Sequence, residues 1–279
     1  MSGANIREAF RRVTERPWLL VALVLTNVGL AVLLAAPLSG ALSMLIDHSP
    51  AANDMASGDL GAIAELLIDH TELFAVASTA MAVGVILYGL FSWVIGGGVL
   101  SALALDGERR ARGAAEVLAS AARLAGRMIK TGLYGLALRA IPLGFGALAY
   151  AIAHAVITGR TFQPSLRTAM VSLVAAAVAW TTVSIAVDYA RGMALDDQKT
   201  AAWRQMARGL GMLWTRRSAT LQLIAFGLAA WLAVGVGYFF IAAHVTAPLV
   251  LTLLRLVAVV GRVAITMTTM TAAARVARV

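Results

Sequence analysis

The 279-residue chain has no cysteine, few acids and long stretches with no charge at all. Without cysteine it can hold no disulfide scaffold, no thiolate zinc site and no cysteine nucleophile, and the redox compartment stays undetermined. Aspartate and glutamate number 14, with none inside the charge-free runs and none after Asp197. Pumps coupled to protons or cations generally carry the ion on buried carboxylates, so this scarcity disfavours that class. Catalytic signatures are missing too. There is no Gly-x-Ser-x-Gly elbow, no His-Glu-x-x-His pair and no phosphate loop ending in Gly-Lys-Ser or Gly-Lys-Thr. These absences read as a non-enzyme without a cofactor.

What is present is apolar and segmented. Hydrophobic residues make up 60% of the chain and charged residues 13%, against about 25% charged in an average soluble protein. Charge-free runs cover residues 17–46, 73–105, 140–159, 168–187 and 218–254. About 20 such residues cross a bilayer core of about 30 Å. The last run is too long for one crossing, and Val245, Thr246, Ala247 and Pro248 supply a break that makes it a tight hairpin. The expected fold is a single-domain all-α membrane protein. It is a bundle of six transmembrane helices, near 17–38, 73–104, 131–158, 168–187, 219–243 and 248–274, with amphipathic interfacial helices. The run after Arg7, Arg11, Arg12 and Arg16 exceeds the 7 to 15 residues of a signal-peptide core, so it reads as a retained first span.

Charge sets the orientation. Of 23 Lys and Arg residues, 18 fall in segments 1–16, 106–130, 188–218 and 275–279, which alternate correctly for one side. The loop at 47–72 holds Asp47, Asp54, Asp59, Glu65, Asp69 and Glu72 with no Lys or Arg, and reads as an outer cap. The positive-inside rule then makes both termini cytoplasmic, in a bacterial plasma (inner) membrane. The net charge of +9 sits beside hydrophobic runs rather than on a separate face, which points to anionic phospholipid headgroups and away from nucleic acid. A basic, amphipathic stretch precedes each odd-numbered span, at 6–16, 114–130 and 201–217. In the middle one Val117, Leu118, Ala121, Leu124, Ala125 and Met128 recur at helical spacing, so these stretches are expected to lie in the interface. The pattern repeats three times: interfacial helix, span, outer connection, span.

Gly96, Gly97 and Gly98 close the second span, and Asp188, Tyr189, Ala190 and Arg191 close the fourth, followed by an arginine-rich helix to Arg217. With this layout the chain resembles a broad group of uncharacterised bacterial six-span proteins, akin to the membrane domain attached to some glycerophosphodiester phosphodiesterases. The resemblance covers nearly the whole length. It implies a membrane module, and the phosphodiesterase catalytic domain has no counterpart here.

A few polar groups lie within the runs. Arg255 and Arg262 stand two turns apart on one face of the sixth span, about 10.5 Å along the axis, with Thr252, Thr266 and Thr269 on the same stripe. They read either as an anion- or lipid-phosphate-attracting groove, joined by Arg139 of the third span, or as arginines snorkelling to the interface. Arg139 also has a structural reading, an ion pair with Asp188 that lowers the cost of burying either charge. The outer loop repeats Leu-Ile-Asp-His, at 45–48 and 67–70, so Asp47, His48, Asp69 and His70 are weak candidates for a metal site. Trp18, Trp93, Trp203 and Trp214 fall near the inner interface as belt residues. Small residues favour close helix contacts: Gly144 and Gly146, Ala175 to Ala177, Gly235 and Gly237.

The first expectation is therefore a scaffold or accessory subunit that contacts another membrane protein or a second copy of itself. The alternatives are a carrier or flippase for an anionic lipid or small anion, and an outer-face metal-dependent enzyme.

Overall fold

A computed structural model describes residues 5–47, 71–107, 110–156, 162–197, 199–245 and 247–278. Among them are eight helices and no strand: α1 (Ile6–Thr14), α2 (Pro17–Asp47), α3 (Thr71–Leu103), α4 (Ala114–Val156), α5 (Phe162–Asp196), α6 (Ala202–Thr215), α7 (Arg217–Ala242) and α8 (Pro248–Val276). Four stretches are long and apolar enough to cross a membrane: Ala82–Leu103, Ser172–Asp196, Arg217–Ala242 and Leu249–Val276. The bent pair α1 and α2 adds a fifth if counted as one span. The chain is thus an all-α membrane protein.

Local chemistry explains the breaks. Asn5 caps α1 by accepting a hydrogen bond from the Glu8 backbone N–H at 3.0 Å. Arg16 precedes Pro17, a position biased away from helix, and Pro17 then opens α2 where its missing N–H costs nothing. The result is an 82° bend between α1 and the start of α2. After α3 the chain turns through Gly107, whose φ of 63° favours glycine. Pro248 at the start of α8 ends the α7–α8 hairpin.

The middle amphipathic stretch is not a separate interfacial helix. Residues 114–130 run without interruption into the third apolar run as one 43-residue helix, α4. No glycine or proline breaks the chain before Gly132 except Gly126, which has open space around it. Most of the apolar face predicted to meet lipid instead packs on protein: Leu124 and Met128 form a buried cluster with Ala194 of α5, while Leu118 stays exposed.

Contacts divide the chain into two compact units, residues 1–21 with 93–279, and residues 22–92. In the smaller unit Tyr88 donates a hydrogen bond to the Asn27 side chain, while Leu25, Val32, Leu33, Ile86 and Leu87 are exposed. In the larger unit α5 is the central helix, packed on α4, α6, α7 and α8. Its core lies toward the C-terminal end of α5. Ile185 and Tyr189 pack with Ala9 of α1, Leu223 of α7 and Ala272 and Ala273 of α8, while Val187 and Ala190 pack with Met206 of α6. Further along the helices apolar side chains turn outward, with Phe239, Phe240 and Leu249 more than 70% exposed. That surface suits hydrocarbon as its solvent.

Glycines set the closest approaches. A Cβ on Gly209 of α6 would stand 2.5 Å from the Ala186 carbonyl oxygen, and one on Gly192 would stand 2.5 Å from Ala274 Cα. Gly98 meets the Val117 backbone, and Gly132 lies under the Trp93 ring. Trp93, expected in the interfacial belt, is thus engaged between α3 and α4.

Candidate functional site

An arginine-capped rim stands at the C-terminal end of α3. The last carbonyls of a helix have no intrahelical donor and carry partial negative charge, so cations are favoured there. Arg110 donates from Nε to Ala102 O at 3.0 Å. Arg12 donates from Nη1 to Leu103 O at 3.2 Å and to Leu105 O at 3.3 Å. Arg278 donates from Nη1 to Ala104 O at 2.7 Å. Three arginines, from the N-terminal helix, the α3–α4 loop and the C-terminal end of the chain, thereby satisfy one helix end.

Carboxylates complete the rim. Arg12 is 8% exposed and bonds Glu8 at 3.0 Å and Asp106 at 2.5 Å. Arg275 reaches the same Asp106 at 3.4 Å, and Arg278 pairs with Asp196 at 2.5 Å. Partial burial pushes the Asp106 carboxyl up, but the hydrogen bond and charge of Arg12, with Arg275, outweigh it and hold it below the usual carboxylate range. Glu8 is also held low, chiefly by its hydrogen bond to Arg12. On the neighbouring α5–α6 turn Asp197 accepts from the Lys199 and Thr200 backbone N–H groups at 3.1 and 3.0 Å. Its carbonyl accepts from Gln205 at 2.7 Å and from Arg127.

Outside these bonds the rim stays basic and aromatic. Arg7, Arg112, Arg123, Lys130, Arg204 and Arg217 are exposed, as are Phe10, Trp203 and Trp214, the last at 83%. Trp18 is exposed as well.

The arginines within the apolar helices have different partners. Arg139 donates to Ser184 Oγ at 3.5 Å and covers the Trp180 ring at 5.3 Å. The expected Arg139–Asp188 ion pair is replaced: Asp188 pairs with Arg191 at 3.3 Å. Arg191 lies one turn away on the same helix and reaches the carboxylate without bridging two elements. Arg262 of α8 covers Trp231 of α7 at 5.2 Å, and Arg255 is exposed. Arg139 and Arg262 therefore engage separate tryptophans on separate helices.

Within the Asp-Tyr-Ala-Arg stretch, Tyr189 is structural core. Tyr189 is fully buried and shares a 3.0 Å hydrogen bond with Thr220. His48, Asp69 and His70 lie outside the described residues, as does the side chain of Asp47. Among the described residues no group of three His, Asp or Glu side chains is placed to hold a metal ion.

Sequence reasoning counted Arg12, Arg110 and Arg278 only as inner-side charge. A charge tally carries no signal that these three aim at helix-end carbonyls, although Asp106-Gly107 just after α3 marks the end that needs them. Comparison of the chain with protein families, characterised proteins and solved structures gave no match.

Proposed function

We propose that this chain is a non-enzymatic module of the bacterial plasma membrane. It has six spans, both termini on the cytoplasmic side, and a basic rim that grips anionic phospholipid while presenting a surface to another membrane protein or a second copy. The rim carries this reading. It ties α1, the α3–α4 turn and the end of α8 into one rigid collar, and leaves a second set of arginines and tryptophans exposed for headgroups.

An even span count is favoured by the packing of Ala9 of α1 with Ala272 and Ala273 of α8, which brings the two chain ends together. The four long apolar helices, with α2 and the C-terminal half of α4, would supply six.

A carrier would need Arg139, Arg255 and Arg262 along one path. Arg139 and Arg262 each cover a different tryptophan instead, which favours the scaffold. Purification in mild detergent should recover a stoichiometric partner or a homo-oligomer. A lone monomer at all concentrations would count against the scaffold role, and anion flux in proteoliposomes abolished by Arg262→Gln would replace it with the carrier.

A further inference from the structure

The seam between α4 and α5 carries more positive charge than its own side chains neutralise. Arg139 of α4 reaches Ser184 of α5 at 3.5 Å, and one turn further along the same face Asp188 pairs with Arg191 at 3.3 Å. This stretch of the seam holds two guanidinium groups and one carboxylate. Asp188 and Arg191 are nearly enclosed, with side chains 13% and 12% exposed. The Nε atoms of both Arg139 and Arg191 are buried without a hydrogen-bond partner. Arg139 gains only a long contact with a hydroxyl and the face of Trp180. A cation–π contact offsets part of the cost of burying a charge, and a neutral hydroxyl adds little.

The seam therefore lacks one negative charge and offers two planar forks to receive it. A phosphodiester bears a single negative charge and matches guanidinium geometry. Arg191 lies five residues before the end of α5, at the rim, where lipid headgroups sit in the proposed placement. Trp180, on the Arg139 side, is 41% exposed, so the seam is open to the surrounding lipid.

We propose that the α4–α5 seam is a phosphate oxyanion site in which Arg139 and Arg191 receive the headgroup of an anionic phospholipid. The inference deepens the lipid-binding part of the proposed function and does not depend on a protein partner.

Native mass spectrometry of the full-length chain in detergent tests it with three probes: phosphatidylglycerol, phosphatidylcholine and inorganic phosphate. The wild type should retain phosphatidylglycerol at least tenfold more tightly than phosphatidylcholine. Arg139→Gln or Arg191→Gln should erase that preference, while Arg262→Gln should keep it. Arg139→Lys holds the charge but loses the fork. It should weaken retention several-fold, and it serves as the test should the glutamine variants not fold. Tight binding of inorganic phosphate alone, lost in the same variants, would assign the site to a free anion and overturn the lipid source. Equal retention of every probe by wild type, Arg139→Lys and the glutamine variants would overturn the site itself. A monomer that retains the lipid would contradict only the scaffold role.

Discussion

Replacing Arg12 with alanine should release α1 from the end of α3. Two buried carbonyls, Leu103 O and Leu105 O, lose a charged donor. Hydrogen bonds to charged groups contribute about 1.5–3 kcal/mol each, so the two together are worth about 3–6 kcal/mol. The Glu8 and Asp106 contacts add little to that sum, because Asp106 is 62% exposed and open to water and an i,i+4 pair such as Arg12–Glu8 is worth only about 0.2–0.5 kcal/mol. At this chain length each kcal/mol moves the melting temperature by about 2–4 °C, which predicts a fall of roughly 6–24 °C. Thermal unfolding in detergent, followed by tryptophan fluorescence, measures the shift, and trypsin cleavage after Arg7 and Arg11 should accelerate in parallel. Arg12→Lys retains the charge without the fork and should fall between. If Arg12→Ala melts within about 1 °C of wild type and α1 resists trypsin unchanged, the capping argument is wrong.

Gly209→Ala should destabilise by about 1–3 kcal/mol despite alanine's better helix propensity, because the new Cβ meets the Ala186 backbone. Gly211→Ala, with nothing within 4 Å, should be neutral or stabilising in the same melting assay. Acid should loosen the rim. Asp106 is held below its unfolded pKa of about 4, so its stabilising pair is fully present above that pH and is lost as pH falls through the lowered folded value. A melting temperature that is flat near neutrality and drops in acid, with a shallower drop in Asp106→Asn, checks this. Tyr189→Phe removes the buried bond to Thr220 and should cost about 0.5–1.5 kcal/mol by denaturant titration.

Runs of apolar residues carried most of the helix positions, because a bilayer-length run has few other solutions. The 248–274 run corresponds to Pro248–Val276 and the 219–243 run to Arg217–Ala242. The sequence was less informative where protein replaces lipid. Residues 114–130 have the amphipathic pattern of an interfacial helix, yet most of their apolar face meets protein and the helix continues. Periodicity reports that a face is apolar and is silent on what covers it. The candidate site divides in the same way. Rim basicity was legible from charge alone, whereas Arg12 pairing with helix-end carbonyls across some 90 residues required the fold. Asp188 went to Arg191 because a partner on the same helix needs no alignment between elements.

The absence of cysteine makes the central claim directly measurable by single-cysteine labelling in intact cells. A membrane-impermeant maleimide would be added from outside to cells carrying Arg7→Cys on α1, Ala277→Cys just past α8 or His244→Cys in the α7–α8 hairpin. The account predicts immediate labelling at position 244, and labelling at positions 7 and 277 only after the membrane is permeabilised. Labelling of 7 and 277 from opposite sides, or of 244 together with both ends, would contradict it.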